Sequence, residues 1–411
     1  MLFIKRKVAV ISIVLLSIIM SGCGSSGAKD NTLVMWLVGS ESQARIIVDL
    51  SREFTENTGT KVSCQAISWG DAHSKYLTSI AGGVSPDIGT MGLTWGMEFG
   101  ELGAMVDFNK EFPEDTAEFG KKMFPCLFDS TQVGDSIYGI PFDLSQHIMY
   151  YRTDIIKDPP ETWEEMLEVL IELRAQGRGM LIDWGSLGWI GYSPFLWQAG
   201  GTYYNEDNTK VTLDSPEAEE ALKFFAGLYK EGVPKTKVPL EQGMRIGDYP
   251  LAISGNWKII SLNAGAPEIK GKWSISRLPA GPSGKRTAFI GGRVLGIFSG
   301  SDKKQEAWDF MKFLFRPDIQ EAIYQNSLET EDSYLPPNME SWKNLEMNKG
   351  FKRILESQAQ DAKGPPAVLA WDSSTRFIDH AIQMVILKNA DPAEELKKAS
   401  VQMQKELDAR R

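Results

Sequence analysis

The order of apolar and polar residues after the N-terminal segment alternates between a strand-like and a helix-like period. Thr32–Val38 is a short apolar run that predicts a strand, and Ser40–Asn57 carries apolar residues at helical spacing before Gly59 ends the pattern. Two more strands and two more helices follow in alternation: strand Lys61–Trp69, helix Asp71–Ala81, strand Asp87–Met91 and helix Trp95–Leu102. This β-α-β-α-β order predicts an α/β fold with a parallel, helix-covered sheet.

The chain changes character near Gly134, where a second region of helices and short strands begins. Gly134–Pro141 is typical of a hairpin turn, and an extended run then continues to Tyr151. Thr162 and Glu165 form the capping box of the next helix. Further helices are predicted at Ser215–Gly232 and at about residues 302–315, 318–326 and 392–408. We therefore expect a second lobe in this part of the chain.

Aromatic and polar residues cluster where the predicted strands end. In parallel α/β sheets, ligands lie beyond the carboxyl ends of the strands. The segments at that edge are Gly39-Ser40-Glu41, Trp69-Gly70-Asp71 and Thr90–Trp95, so two of the 12 tryptophans stand there. An indole face stacks on the C–H groups of a pyranose ring, while carboxylates, amides and guanidinium groups bind its hydroxyls. The pattern favours a carbohydrate-binding cleft.

Several tryptophans and polar residues are candidates for this cleft. For any single tryptophan, packing inside the core is an equally good interpretation, but a position next to glycine, as in Gly255-Asn256-Trp257, favours the cleft. The candidate stacking residues are Trp69, Trp95, Trp197, Trp257 and Trp371. The candidate polar partners are Glu41, Asp71, Asn256, Arg293 and Asp372. Trp163, Trp308 and Trp342 lie inside helical patterns and are predicted to pack in the core.

The N-terminus has the pattern of an exported lipoprotein. A basic tripeptide precedes an apolar run from Val8 to Met20, which is shorter than the roughly 20 residues that a membrane-spanning helix needs. Ser21-Gly22-Cys23 is similar to a lipobox, in which the cysteine is acylated, although Met20 stands where leucine is usual. A plain signal or an uncleaved anchor is the alternative. We predict a signal peptide at 1–22, lipidation of Cys23 and a flexible tether at 23–31.

Charge and residue usage exclude several classes of function. The net charge of −10 disfavours nucleic acid as a partner. The three histidines are far apart, and no metal, nucleophile or phosphate-loop motif occurs, so we predict no metal, cofactor or catalytic residue. Tyr150-Tyr151 and Tyr203-Tyr204 permit an iron-binding alternative, although a strand with one tyrosine facing the core explains them better. Cys64 and Cys126 either form a disulfide or remain two small buried side chains.

A series of short motifs runs in order along residues 32–409. They are Ala81–Ile88, Gly92–Trp95 with Glu98-Phe99, Tyr150–Asp154, Pro159–Glu165, Trp197–Gly201, Leu213–Glu217, Ser254–Trp257, Pro279–Pro282, Gly291–Arg293 and Ala307–Phe310. In this order they resemble the extracellular solute-binding proteins of ABC transporters, in the maltose-binding-protein-like class that binds sugars. Each motif alone is weak, and the order together with the lipobox makes the resemblance strong.

The resemblance implies a two-lobed periplasmic-binding-protein fold of type II, with a hinge that the chain crosses several times. Lobe I is expected at 32–141 plus 292–336 and lobe II at 142–291 plus 337–411. A lipid-anchored, monomeric receptor on the extracytoplasmic face of the bacterial membrane would enclose an oligosaccharide and pass it to ABC permease subunits driven by a cytoplasmic ATPase. The implied ligand-binding residues are Glu41, Trp69, Asp71, Trp95, Asp143, Gln146, Trp257, Arg293 and Trp371.

The sequence departs from this class near the hinge. Many members carry Asp-Thr-Arg where this chain has Ser145-Gln146-His147, with Asp143 two residues upstream. Arg293 follows Gly-Gly where a small or aromatic residue is common, which suggests a hydroxyl contact, an outward-facing salt bridge or, less simply, an acidic sugar. Three alternatives stay open: a surface-anchored carbohydrate-active enzyme, a receptor for a solute other than sugar, and an adhesive lipoprotein.

Overall fold

The structure is a computed structural model that describes residues 31–410. The predicted signal peptide 1–22 and Cys23 lie outside these residues, as does the tether 23–31 apart from Asn31. The strands within the described range are β1 Thr32–Val38, β2 Lys61–Ile67, β3 Ile88–Gly92, β4 Gln132–Val133, β5 Ser136–Ile137, β6 Ile140–Pro141, β7 Ser145–Arg152, β8 Met180–Ile182, β9 Leu251–Gly255, β10 Trp273–Ser276, β11 Ala288–Gly291, β12 Arg293–Ile297 and β13 Ala362–Lys363.

The α-helices alternate with these strands and dominate the second half of the chain. They are α1 Glu41–Thr58, α2 Trp69–Gly82, α3 Leu93–Glu101, α4 Phe108–Glu111, α5 Pro113–Lys122, α6 Pro125–Asp129, α7 Trp163–Ala175, α8 Trp189–Ala199, α9 Pro216–Glu231, α10 Leu240–Ile246, α11 Lys258–Gly265, α12 Lys304–Leu314, α13 Pro317–Glu329, α14 Lys349–Gln360, α15 Trp371–Lys388 and α16 Pro392–Asp408. Two short 3₁₀ helices lie at Pro267–Ile269 and Ser341–Asn344.

The first sheet gathers strands from two distant parts of the chain in the order β2-β1-β3-β12-β6. β1 pairs in parallel with β2 and with β3, which confirms the predicted parallel β-α-β-α-β unit. β12 then adds antiparallel to β3, and β6 adds antiparallel to β12. The sheet is therefore mixed, because β12, which comes about 200 residues after β3 in the chain, pairs antiparallel with β3. We call the elements around it the first lobe.

The second sheet has the order β13-β11-β7-β9-β8, and β10 also pairs with β7. Gln146 in β7 donates from Nε2 to the Leu355 carbonyl in α14 at 2.8 Å. The next residue, His147, instead contacts the rings of Trp184 and Phe289, beside α8. Because neighbours in a strand point to opposite faces, α14 and α8 cover opposite faces of this sheet. We call the elements around it the second lobe.

Three segments cross between the lobes and lie side by side. Phe142 N–H donates to the Arg293 carbonyl at 2.7 Å, which joins the first crossing to the second, and Leu144 N–H donates to the Leu335 carbonyl at 2.9 Å, which joins it to the third. Gly292 alone connects β11 to β12, with φ of +138°. A Cβ atom there would lie 2.2 Å from the Asp143 carbonyl oxygen, so only glycine fits this crossing.

The capping signals in the sequence predicted most helix ends correctly, but the predicted position of Trp69 at the end of a strand was wrong. The capping box is confirmed: Glu165 N–H donates to Thr162 Oγ1 at 3.2 Å, and Glu161 N–H donates to Glu165 Oε2 at 2.7 Å. Trp69 was predicted as the last residue of a strand, but β2 ends at Ile67 and Trp69 begins α2. The reason is local, since Ser68 adopts an extended N-cap conformation that starts the helix two residues earlier.

The apolar core extends through both lobes and includes the tryptophans that were predicted to lie inside helices. Trp163, Trp308 and Trp342 are buried, as predicted. Trp308 stacks on Phe112 with ring centroids 4.5 Å apart and donates from Nε1 to Asp115 at 2.8 Å. No helix within residues 31–410 combines the length and the apolar character that a membrane span requires.

Candidate functional site

Two neighbouring helix starts in the first lobe carry a group of aromatic rings. Trp69 in α2 and Trp95 in α3 meet edge to face, with centroids 5.7 Å apart. His73 packs against Trp95 at 5.1 Å, and its Nε2 lies 2.7 Å from Glu98 Oε2. Trp69 is 52% exposed, so a large indole face is open to a ligand. We call Trp69, His73, Trp95 and Glu98 the first-lobe wall.

The sheet topology brings this wall together. β2 and β3 flank β1 in parallel, so the helices that follow them begin at the same edge of the sheet. Gly92 precedes α3, and a Cβ atom there would lie 3.1 Å from the Trp95 ring, which is a tight approach. The two strand exits predicted from the sequence thus place Trp69 and Trp95 in contact.

The second lobe carries a larger aromatic group at the ends of β8 and β9. Trp184 and Trp257 meet edge to face at 4.7 Å. Phe289 continues the row, 5.1 Å from Trp184 and 5.5 Å from Trp189, and Trp189 in turn meets Trp371 at 5.0 Å. Gly255 permits this arrangement, because a Cβ atom there would lie 2.0 Å from the Trp257 ring. We call Trp184, Trp189, Trp257 and Trp371 the second-lobe wall.

A charged group lies beside the second-lobe wall. Lys258 follows Trp257 and lies between two carboxylates, 2.9 Å from Glu241 Oε1 and 3.4 Å from Asp183 Oδ2. Ser254 Oγ also donates to Asp183 Oδ2, at 3.0 Å. The Asp183 carboxylate therefore lies at the end of β8, beside Trp184 of the second-lobe wall.

The two walls approach each other where α3 meets α15. The Thr94 hydroxyl donates to the Asp372 carboxylate, so the neighbour of Trp95 contacts the neighbour of Trp371. Nearby, Arg410 forms an ion pair with Glu101 of α3. These contacts join residues at the end of the chain to the first lobe. They describe a molecule whose lobes touch along one side of the cleft.

The pKa of Asp372 is raised to about 6, first because the carboxyl is removed from water and second because Glu98 is near. A carboxyl whose pKa is higher in the folded protein than in the unfolded chain stabilises the fold as pH falls. Between about pH 6 and pH 4, we expect the free energy of unfolding to rise on acidification by a contribution from Asp372, which saturates below its unfolded pKa of about 3.9. Urea unfolding of the natural chain and of Asp372→Asn, each at about pH 6 and about pH 4, measures this contribution. It is the difference between the two chains in the slope of the free energy of unfolding against pH. Equal slopes would contradict the prediction.

Asp143 and Arg293, two predicted ligand residues, bind each other at the hinge. Arg293 Nε donates to Asp143 Oδ2 at 2.7 Å, and its Nη1 donates to the Val38 carbonyl at 2.6 Å and to Gln43 Oε1 at 3.0 Å. Arg293 is only 5% exposed. Its charge is therefore balanced by a buried carboxylate, and of the alternatives predicted for it, neither the outward-facing bridge nor the pairing with an acidic sugar describes this geometry.

The residues that replace the usual Asp-Thr-Arg are structural in their contacts. Gln146 N–H donates to Asn256 Oδ1 at 2.7 Å, which ties β7 to the end of β9. His147 is fully buried, lies 3.0 Å from the Trp184 carbonyl through Nε2, and burial lowers its pKa to about 3. A neutral His147 therefore donates to the backbone of Trp184 and holds that ring beside Trp257.

The other predicted residues fall at different depths. Glu41 is exposed in the first turn of α1, and Asp71 is exposed in the first turn of α2, where it accepts from Ser68 Oγ at 2.7 Å. Trp197 is buried against Phe289 and lies outside both walls. Trp371 is 1% exposed between Trp189 and Tyr203, so residues of its own lobe cover its ring.

Sequence reasoning missed Trp184, Trp189 and Asp183. Asp183 and Trp184 come directly after β8, which has only three residues and gave too short an apolar run to be recognised as a strand. A signal was nevertheless present, because Trp184-Gly185 repeats the Trp-Gly pair of Trp69-Gly70.

Other candidate chemistry is absent or already used among the described residues. The Tyr150 hydroxyl donates to the Gly255 carbonyl at 2.8 Å, and burial raises the pKa of Tyr150 and of Tyr203, so neither is a phenolate ligand. Cys64 and Cys126 are free thiols, which decides between the two interpretations. Within residues 31–410, no three His, Cys, Asp or Glu side chains converge as metal ligands.

A cavity of about 640 Å³ lies away from the two walls, between α13, α11 and α14. The cavity is on the face of the second sheet that α14 covers. The second-lobe wall includes rings on the opposite face, which α8 covers. Its lining is mainly apolar, and Glu346 is the only charged side chain among the described residues that line it. Trp273 is the one tryptophan among the described residues that line it, and it is buried, whereas the walls hold several tryptophans and the exposed Trp69 ring, so the walls are the better site for stacking on a sugar.

Comparison with known proteins identifies the fold and the family. The lactose-binding protein of Rhizobium radiobacter is 24% identical over 74% of this chain and 74% of its own length. The maltotriose-binding protein of Pyrococcus abyssi is 23% identical over 76% of this chain and 69% of its own. The solved structure of the sugar-binding protein MalE from Xanthomonas citri superposes with a TM-score of 0.81 at 21% identity, covering 92% of this chain and 98% of that one, which confirms the predicted two-lobed fold. The sequence model of the bacterial extracellular solute-binding proteins matches residues 49–350, and the chain belongs to that family.

Proposed function

We propose that this solute-binding protein is a carbohydrate receptor that closes around a sugar and presents it, unaltered, to an ABC importer. The observation that carries the proposal is the pair of aromatic walls, one in each lobe, with carboxylates beside them and with Trp69 of the first-lobe wall exposed. Stacking surfaces combined with fixed acceptors are what pyranose rings require. The lactose-binding and maltotriose-binding relatives support a sugar as the ligand.

The proposed contacts divide between the lobes. Trp69, Trp95 and Trp257 stack on the sugar rings, while Glu41 and Asp71 in the first lobe and Asp183 in the second accept from hydroxyls. Trp371 is buried and packs edge to face against Trp189, so its role is to hold the Trp189 ring in position. The remaining predicted residues, Asp143, Gln146 and Arg293, hold the hinge and the sheet on which the cleft rests.

Closure is a population shift between an open and a closed arrangement of the lobes. A ligand held by both walls stabilises the closed arrangement, because it contacts both walls at once only there. The contact of Thr94 with Asp372 needs α3 close to α15, and the ion pair of Glu101 with Arg410 needs α3 close to the segment that follows α16. We assign lobe I to 32–141 plus 292–336 and lobe II to 142–291 plus 337–411.

The location proposed for the receptor is the extracytoplasmic face of the bacterial membrane. Acylation of Cys23 would hold a monomeric receptor near its permease subunits, where a short tether raises the effective concentration. The cytoplasmic ATPase then drives transport, so the receptor itself needs no chemistry. Mass spectrometry of the mature N-terminus tests the anchor: a diacylated or triacylated Cys23 supports it, and an unmodified N-terminus overturns it.

A screen by thermal unfolding tests the ligand class. We expect a bound mono- or oligosaccharide at about 100 times its Kd to add about 2.7 kcal/mol to the free energy of unfolding, which raises Tm by several degrees. Amino acids, short peptides and ferric citrate serve as non-sugar ligands. A response confined to one of these would replace the proposal with a different solute.

The enzyme alternative predicts a product where the receptor predicts none. Chromatography of the sugar after a long incubation with stoichiometric protein separates the two, because a receptor returns its ligand unchanged. The appearance of a hydrolysed or rearranged sugar would overturn the receptor proposal.

A further inference from the structure

The cavity between α13, α11 and α14 is bounded by both lobes. Tyr324 and Leu328 line it from α13, which packs against α1 in the first lobe. Ile259 and Ile354 line it from α11 and α14 in the second lobe, and residues 333–335 of the third crossing complete it. Its volume of about 640 Å³ is typical of small-molecule sites, and its shape depends on how the two lobes are arranged.

The lining of this cavity is rich in aromatic and aliphatic side chains. Trp273 and Phe351 meet there with ring centroids 5.5 Å apart and planes tilted by 37°. Tyr324, Leu335 and Leu355 also line it and are buried. Aromatic side chains favour edge-to-face and offset-stacked contacts with other rings, so this lining suits a flat aromatic molecule.

One hydroxyl of the lining has no partner in the protein. Tyr334 is 2% exposed, and its hydroxyl makes no hydrogen bond with any residue that the structure describes. Burial raises the pKa of Tyr334, so the hydroxyl keeps its proton and can both donate and accept. A buried polar group that stays unpaired is costly, so a ligand gains affinity by bonding to it. The hydroxyl therefore indicates a ligand that carries a hydrogen-bonding group.

The charges around the cavity favour a neutral ligand. Neither lysine nor arginine occurs among its lining residues within 31–410, so an anion would leave water without gaining an ion pair. The carboxylate of Glu346 is exposed, so water screens its attraction for a cation. A neutral molecule loses the least hydration on entering the cavity.

We propose that this cavity is a second binding site, for a neutral fused-ring aromatic molecule with one N–H or O–H group, and that its occupant tightens the binding of the sugar. The occupant contacts both lobes, so it fits best when they are arranged as they are here, with Thr94 in contact with Asp372. A sugar held by both walls favours the same arrangement. Each ligand therefore raises the affinity of the other by the same factor. The coupling rests on the proposed function, whereas the second site itself does not.

Titration calorimetry of three matched probes on the full chain tests the site. Indole is neutral and has one N–H group, 1-methylindole keeps the rings but lacks that donor, and indole-3-acetate adds a negative charge. We expect indole to bind with a Kd below about 1 mM, and the other two probes to bind about tenfold more weakly. Absence of indole binding, or equal affinities for the three probes, would overturn the assignment.

Two tyrosine variants test the role of the unpaired hydroxyl. Tyr334→Phe keeps the ring that packs edge to face against Phe142 and removes a hydroxyl with no partner in the described part of the chain, so the fold should keep its stability. It should bring the affinity ratio of indole to 1-methylindole to about one, since neither probe then has a hydroxyl to bond. Tyr249→Phe, beside Gly243 and outside the lining, should keep the natural ratio. An unchanged ratio in Tyr334→Phe contradicts the proposed site.

Sugar titrations with and without saturating indole test the coupling. We expect the sugar found in the thermal screen to bind about fivefold or more tightly when indole is present, and indole to gain the same factor from the sugar. Leu328→Trp, which fills the cavity from α13, should abolish both the binding of indole and its effect on the sugar.

The outcomes separate this inference from the proposed function. Weaker sugar binding in the presence of indole would show that indole competes for the walls, and an unchanged sugar affinity would show that the cavity is not coupled to the cleft. Either result overturns the inference and leaves the receptor proposal in place. Absence of binding by any sugar overturns the proposed function, and the titrations of indole alone then still decide whether the second site exists.

Discussion

Replacing Arg293 by methionine is expected to lower the free energy of unfolding by about 3–5 kcal/mol. The substitution leaves the Asp143 carboxylate buried without its partner and removes the donor to the Val38 carbonyl. It also loosens two crossings at once, since Arg293 lies in one and Asp143 in another. Urea unfolding followed by tryptophan fluorescence or circular dichroism measures the loss.

Two further variants show whether the buried charge is the cause. Arg293→Met combined with Asp143→Asn removes the unpaired charge but keeps an acceptor for the backbone N–H at position 293, and should restore about half of the loss. Arg52→Met breaks an exposed pair with Asp49 and should cost about 0–1 kcal/mol. A loss at Arg293 no larger than that at Arg52 would show that the hinge pair contributes nothing beyond a surface bridge.

Trp257→Ala is expected to weaken sugar binding by about 1–3 kcal/mol, or about 5- to 150-fold in Kd. The ring is half-buried at the start of α11 and meets Trp184 edge to face, so its removal takes away a stacking surface and frees its neighbour to move. Trp257→Phe keeps part of that surface and should lose less. Isothermal titration with the sugar found in the thermal screen gives both values.

Trp36→Ala is the matched control for this measurement. Trp36 lies in β1 and contacts Tyr76 and Lys75, outside both walls. Its removal should lower stability while leaving the Kd of the sugar unchanged. Equal losses of affinity at Trp36 and Trp257 would mean that the titration reports a general loosening of the fold, and unchanged affinity at Trp257 would remove that ring from the site.

The fold was predictable to the extent that its signals are local. Ser40, Thr162 and Ser215 cap helices where the sequence places them, because each supplies a side-chain acceptor to a nearby backbone N–H. β12 was not assigned to the first sheet from its own sequence pattern. Its partner β3 lies about 200 residues away, and strand pairing at that separation leaves no local trace.

The candidate site shows the same division. Trp69 and Trp95 were correctly expected to be near each other, because the parallel order of β1, β2 and β3 fixes where their helices begin. The pairing of Arg293 with Asp143 was not predictable, since both residues read equally well as ligand contacts until the crossings are seen side by side. Trp184 was missed because β8 is too short to give a periodic pattern.

The three adjacent crossings also determine how the molecule responds to a broken backbone. Each joins the same two bodies, and neighbouring crossings are bonded to each other through Phe142 with Arg293 and Leu144 with Leu335. A single proteolytic cut in any one of them leaves two covalent connections in place. The nicked protein is therefore expected to remain one particle that still bends about the same axis.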